Sequence, residues 1–203
     1  MKRTHDVEVI ISLDADDPLL NKYLKVFPKS LVNKNRSAVD AINNAAKIAT
    51  GEIMIVLSDD TECPRNWEMV VNKACDGKED FVLKTFDGIQ TWIVTMPILD
   101  RKYYNRYGYI YHPSYLHQFV DTHFTHVADV TKRIVWRNDI LFPHRHKRVM
   151  DEVYRRSDQT WNHGKKTYIQ MLKQNLGLDT SIDIMDLSHY GEDHKNWIRA
   201  NVK

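Results

Sequence analysis

Ile53 to Leu57 form an unbroken apolar run between Glu52 and Ser58, and two aspartates, Asp59 and Asp60, follow it directly. A run of this kind describes a strand covered on both faces, the arrangement of a parallel sheet flanked by helices. In open α/β sheets, ligands bind just beyond the carboxyl ends of such strands. Two adjacent carboxylates there repel each other unless a cation lies between them. The expectation is a metal held at a sheet edge together with a phosphate-bearing ligand.

The rest of the chain supplies the elements around that edge. Val7–Leu13 reads as a first strand, and it runs into Asp14-Ala-Asp-Asp-Pro18, a turn that places Asp14, Asp16 and Asp17 near a strand end. Asn33-Lys-Asn-Arg-Ser37 leads into a helix in which Ala38, Ala41, Ile42, Ala45 and Ala49 recur at helical spacing. Ser37 with Asp40 resembles a capping box, and Gly51 is a natural stop. Strand, helix and strand with short links describe a βαβ unit. Further on, Pro64–Trp67 opens a helix to about Ala74. Phe81–Phe86 and Thr91–Thr95 read as strands, His117–Ala128 as a helix and Lys132–Trp136 as a strand. Arg145 to Leu176 is polar and mostly helical, and the last 25 or so residues read as peripheral. Trp67, Trp92 and Trp136 suit the core, and the stretch Tyr103–Tyr115 suits an aromatic surface. His112, His117 and His126 read as surface residues.

At 203 residues the chain is long enough for one domain with a real core. A formal charge of +2 is too small to argue for nucleic acid or a membrane surface. No apolar run approaches the roughly 18 residues of a membrane helix, and Met1–Asp6 lacks the apolar stretch of a signal peptide. Two cysteines, Cys63 and Cys75, without metal-type spacing predict a reduced, cytoplasmic setting.

Taken in order, these features resemble the family 2 glycosyltransferases of the GT-A fold. The densest part runs from Asn33-Lys-Asn-Arg-Ser-Ala-Val-Asp through Gly51-Glu-Ile-Met-Ile-Val-Leu-Ser-Asp-Asp60 to Pro64-x-x-Trp67. Thr95-Met-Pro-Ile98, Phe119-Val-Asp-Thr-His-Phe124 and Phe142-Pro-His-Arg-His146 extend it. The fold so implied is α/β, a Rossmann-like, mostly parallel sheet flanked by helices in a single domain. Residues 1–146 would form the nucleotide-sugar-binding and catalytic core, and 147–203 a helical C-terminal extension. The resemblance begins at what matches the family's second strand. That leaves a neighbouring strand edge exposed and able to pair with a second copy of the chain.

The resemblance implies a metal-dependent, inverting transfer of a sugar from a nucleotide donor to a hydroxyl acceptor such as a glycan. Asp60 would coordinate Mn2+ or Mg2+ at the diphosphate, oxygen chemistry that suits either ion. Asp59 would accept hydrogen bonds from ribose or donor sugar. Asp14 would recognise the nucleobase, with Asp16, Asn35 and Ser37 on the same nucleotide side. Asp121 falls where the family places its general base, and His123, two positions on, is the alternative. His144 or His146 would complete the metal site, His144 slightly favoured, and a UDP-sugar is the donor the resemblance favours. Two rival readings stand beside this one. The first is a relative that binds nucleotide or glycan without turnover. The second is a nucleotidyltransferase, for which a Gly-rich phosphate loop is missing.

Overall fold

The computed structural model describes residues 7–145, 155, 158–187 and 189–202. The amino-terminal part runs β1 (Ser12–Asp14), α1 (Leu20–Val26), β2 (Leu31–Asn33), α2 (Ala38–Ile48), β3 (Ile53–Ile55) and α3 (Trp67–Cys75). Then come β4 (Val82–Phe86), β5 (Ile98–Asp100), α4 (Arg101–Tyr107), α5 (Val120–Val130) and β6 (Ile134–Leu141). After these lie α6 (Trp161–Lys173), a 3-10 turn at Asn175–Gly177, and α7 (Glu192–Val202).

The α/β class is as the sequence predicts, but the sheet is mixed rather than mostly parallel. β1 and β2 form a parallel pair of their own, and the larger sheet has the order β3-β5-β4-β6. Within it β5 runs antiparallel to both β3 and β4, while β4 and β6 are parallel. The strand expected at Thr91–Thr95 is irregular, and Ile98–Asp100 takes the place in the sheet. Side chains satisfy the irregular segment instead: Val94 N–H donates to Thr125 Oγ1 at 2.9 Å, and the Thr95 hydroxyl donates to Asp87 at 2.8 Å. The β-branched run Val7–Leu13 is likewise a shorter strand than expected, because only Ser12–Asp14 finds a ladder partner.

The larger sheet is covered on both faces. Val82 and Leu99 face a cluster with Val39 of α2, Tyr103 of α4 and Val127 of α5. Leu83 and Ile98 face the other way, onto Val71, Ala74 and Cys75 of α3. This is the period-two alternation of a strand with an apolar layer on each side. Asp100 fixes the junction of β5 and α4. Its carboxylate accepts the N–H groups of Asp80 and Phe81 at the start of β4, and of Tyr103 as the helix cap, at 2.6, 3.1 and 2.9 Å. Buried Asn43 of α2 ties that helix to the loop after α4. Its amide donates to Tyr111 O at 2.6 Å and accepts from the N–H groups of Ile110 and Tyr111.

The carboxyl-terminal residues belong to this core, against the peripheral reading. Leu187, Tyr190 and Ile198 are buried in the cluster that holds Val120 and Tyr168. The proposed division at 146 falls among residues outside those described. His126 is no surface residue either: it is fully buried and bridges three segments. Nε2 lies 2.7 Å from the Ile184 carbonyl and Nδ1 lies 2.7 Å from the Tyr168 hydroxyl. A carbonyl only accepts, so Nε2 carries the proton and Nδ1 accepts from the tyrosine. The three tryptophans are half-buried at the core margin. Four of the residues expected to form an aromatic surface, Tyr103, Tyr104, Tyr111 and Tyr115, are buried.

α6 approaches the backbone before α5 so closely that a Cβ on Gly164 would overlap the Gln118 carbonyl. Gly164→Ala is therefore expected to destabilise the fold by about 2–3 kcal/mol, because backbone cannot move aside as a side-chain tip can. Urea unfolding checks this as a lowered midpoint at unchanged slope.

Candidate active site

The chain leaves β3 through Val56-Leu57-Ser58 and turns at Asp59-Asp60, where the sequence places the metal site. Asp60 is held from three sides. Its Oδ1 accepts from the Ser58 hydroxyl at 2.5 Å, and its Oδ2 lies 2.8 Å from His144 Nε2. Its backbone carbonyl accepts the Arg145 N–H at 2.7 Å. Thr61 and His144 form a β-bridge, and Glu62 N–H donates to Pro143 O at 2.9 Å, so backbone pairing sets the approach of the two segments. Burial raises the Asp60 carboxyl, but the Ser58 hydroxyl and His144 outweigh it and hold the group below its ordinary value. Asp59 is exposed beside it, its carboxylate turned to solvent. Arg145 pairs with Glu62 at 2.7 Å. His146 lies outside the described residues.

A second polar group gathers at the carboxyl end of β1. Asn35 donates to Asp14 Oδ1 at 2.7 Å, and Asn44 of α2 donates to Asn35 Oδ1 at 3.0 Å. The parallel pairing of β1 with β2 brings Asp14 opposite Asn33 and so within reach of Asn35. Asp16 is exposed and lies outside this chain of bonds. Ser37 does not cap α2. Its hydroxyl is buried without a partner, and Asp40 instead accepts the Arg36 N–H at 3.0 Å and pairs with its guanidinium.

Asp121 stands in the first turn of α5, where Phe119 enters the helix with φ 67. One oxygen accepts the Thr122 N–H at 2.7 Å. Burial raises its carboxyl above the ordinary range, against the opposing pull of the Thr122 N–H and of His117. A raised carboxyl is what a general base near neutral pH requires. His123, the alternative base, is placed differently. Two residues along a helix is about 200° of rotation, so it points to another face. There it is 4% exposed, and burial pushes its imidazole down to about 3, too weakly basic to take a hydroxyl proton.

Two buried polar residues behind the site escape the sequence reading. Lys84 is fully buried in β4, and its ammonium donates to the carbonyls of Thr85 and Gln90. Asp87 is buried too, and accepts from Ile89 N–H at 2.7 Å, Gln90 N–H at 2.6 Å and the Thr95 hydroxyl. The turn they lock presents the Asp87 carbonyl to His144 N–H at 2.9 Å, so it seats the imidazole that meets Asp60. A lysine inside the run Phe81-Val-Leu-Lys-Thr-Phe86 was the available signal, since its alternation puts Lys84 on the face of Val82. Burial lowers the Lys84 ammonium to about 8, with Asp87 opposing. Lys84→Met would leave two buried carbonyls without their donor. The expected cost is about 2–3 kcal/mol in urea unfolding, with weaker Mn2+ binding in calorimetry.

The residues at β3 fit a divalent cation. Among the described residues no three His, Cys, Asp or Glu side chains form a closed cage. One carboxylate and one imidazole within hydrogen-bond distance, open to solvent, instead suit an ion that takes its other ligands from water and a substrate diphosphate.

The structure thus places a carboxylate beside an imidazole beyond β3 and an Asp–Asn pair at the end of β1, in a separate sheet. Residues 5–137 match the glycosyl transferase family 2 model, and the chain belongs to that family. Sugar transfer from nucleotide sugars is the chemistry of that family, and the α/β fold of the chain is that of a GT-A glycosyltransferase. Its fold is similar to that of the mannosyltransferase PcManGT from Pyrobaculum calidifontis, solved in complex with GDP-Man and Mn2+. The TM-score is 0.57 at 12% identity, over 96% of this chain and 59% of that one. Among curated proteins nothing matches the sequence. No described helix is long and apolar enough to cross a membrane.

Proposed function

We propose that the protein moves a hexosyl unit from a nucleoside-diphosphate sugar to a hydroxyl acceptor, with inversion at the anomeric carbon. The observation that carries the reading is the Asp60–His144 contact at the carboxyl end of β3. Mn2+ or Mg2+ held there by Asp60 and His144 would supply Lewis-acid stabilisation of the departing diphosphate. Asp59 is free to accept hydrogen bonds from ribose or sugar. Asp14, oriented by Asn35, accepts an N–H of the nucleobase. Asp121 takes the proton of the acceptor hydroxyl as that oxygen bonds to the anomeric carbon and the bond to the diphosphate breaks. The acceptor is a glycan or another alcohol, and the setting is cytoplasmic, where Cys63 and Cys75 stay as free thiols.

A second reading, nucleotide binding without turnover, is favoured by one feature. β1 and β2 share no ladder with β3, so no strand pairing fixes the Asp14 group against Asp60. The unpaired edges of β1 and β3 also invite a second copy of the chain, which light scattering would register as a dimer.

Calorimetric titration with UDP and with GDP, each with and without Mn2+, tests the site. The resemblance favours UDP, and the GDP-Man bound to the mannosyltransferase makes GDP the other nucleotide to try. Metal-dependent binding of one of them is the expected result, and binding of neither would overturn the reading. Asp121→Asn then separates the two versions. It should keep nucleotide affinity while lowering transfer by about 10²–10⁴-fold. Unchanged transfer would remove Asp121 from the mechanism.

A further inference from the structure

On a face of α5 turned away from Asp121, a small cavity opens between α4, α5 and the 3-10 turn. Tyr103, His123, Phe124 and Val127 form its floor, and Tyr107, Tyr109, His112 and Gly177 lie around them. α4 begins beside Ile53, at the end of β3 opposite the one that leads to Asp60, so the cavity is not part of the Asp60 site.

Three observations meet there. First, His123 Nε2 is buried and makes no hydrogen bond, although the imidazole is 4% exposed. A buried polar atom left alone is costly, and such atoms in native proteins have a reason. Second, the wall opposite is strained: Asn175, Leu176 and Gly177 have φ of 53, 57 and 74 in succession. Leucine in the left-handed region is an outlier, and such strain gathers at ligand sites. Asn175 holds the segment by donating to Asp179 O at 2.7 Å. Third, the rim is aromatic and partly exposed, with Tyr109 lying 5.9 Å from Tyr107 and 5.3 Å from His112, ring to ring.

The chemistry of the lining selects the ligand. None of its ten residues is Lys, Arg, Asp or Glu, and burial holds both histidines neutral. A charged group would enter with no counter-charge, which is costly. No hydrogen bond fixes the ring tautomer of His123, so Nε2 can meet a hydroxyl either as acceptor or as donor. The volume of about 40 Å³, open at one side, is too small for a sugar ring but suits one hydroxymethyl group. Exposed aromatic faces at the mouth are the surface that sugar C–H groups pack on.

We propose that this cavity is a second carbohydrate site, which takes the hydroxymethyl arm of a hexopyranose. The primary hydroxyl hydrogen-bonds to His123 Nε2, and the ring rests on Tyr109 and His112. The site is independent of the donor site and does not require the transfer reading to hold.

The test follows the imidazole ¹⁵N signals of the full chain by NMR, assigned through His123→Phe. Methyl glycosides of glucose, mannose and galactose are titrated to on the order of 100 mM, the range for weak single-site sugar binding. At least one should shift the His123 signal saturably. Methyl xyloside, which lacks the hydroxymethyl arm, should bind at least about tenfold more weakly. Tyr109→Ala should weaken the hexoside response, and it keeps the experiment decisive if His123→Phe does not fold. Asp60→Asn should leave the response unchanged while abolishing metal-dependent nucleotide binding. No saturable shift with any hexoside, or an equal response to the xyloside, would overturn the proposal. Loss of the shift in Asp60→Asn would assign the sugar to the donor site instead.

Discussion

Replacing Asp60 by alanine is expected to abolish metal-dependent nucleotide binding and to lower sugar transfer by at least about 10³-fold, about 4 kcal/mol of transition-state stabilisation. The magnitude follows from what the side chain does. Asp60 is the carboxylate in contact with His144, at 2.8 Å, and Asp59 beside it is turned to solvent and cannot substitute. The fold should survive. Asp60 is half-exposed, so its bonds to Ser58 and His144 contribute no more than about 1 kcal/mol after solvent screening. His144→Ala leaves the carboxylate in place and should cost about 10–100-fold in metal affinity. Both effects are read by titrating nucleotide with and without Mn2+, with donor hydrolysis measured in parallel. An Asp60→Ala protein that binds nucleotide with the wild-type metal dependence would sink the assignment.

Acid should destabilise the protein well above the range in which carboxylates titrate. Burial first of all depresses His123 to about 3 and His126 to about 4, against 6.5 for an ordinary imidazole. The unfolded chain then binds protons that the folded chain refuses between pH 6.5 and these lower values, so stability falls as pH drops through that window. At pH 5 each group costs about 2 kcal/mol, about 4 for the pair, a large share of the 5–15 kcal/mol of a typical domain. His112, His117 and His194 are depressed in the same direction. Asp121 acts oppositely, since burial raises its carboxyl and acid favours its folded form, but it is one group against several. Urea unfolding at pH 7 and pH 5 measures the difference, and His123→Phe should shrink it by about 2 kcal/mol. Equal stability at the two pH values would show that these imidazoles are not buried neutral.

Much of the site was legible in the residues because its signals are local. The apolar run at Ile53–Leu57 identified a strand, and the end of that strand located Asp59 and Asp60. Alanines at helical spacing placed α2, and the turn after β1 put Asp14 beside the Asn33–Asn35 segment, where the structure joins it to Asn35. The same local reasoning failed where side chains replaced a ladder. Thr91–Thr95 has a strand's composition, yet Thr125 and Asp87 satisfy its polar groups and the shorter Ile98–Asp100 enters the sheet.

Sequence alone determined most of the helices, the strands at Ile53 and Phe81, where carboxylates would stand at strand ends, and the family resemblance. These depend on periodicity, turn residues and ordered motifs, which are properties of neighbours along the chain. The resemblance already set His144 beside Asp60, 84 residues away, and the structure brings them together; only the tertiary structure decided that Lys84 and Asp87 lock the turn that seats the imidazole. It also decided that His126 is a core staple, that His123 is buried and lines a small cavity, and that the carboxyl-terminal residues are core. A histidine or a lysine carries no mark in sequence of whether it will be buried, because burial and hydrogen bonding come from partners brought together only when the chain closes on itself.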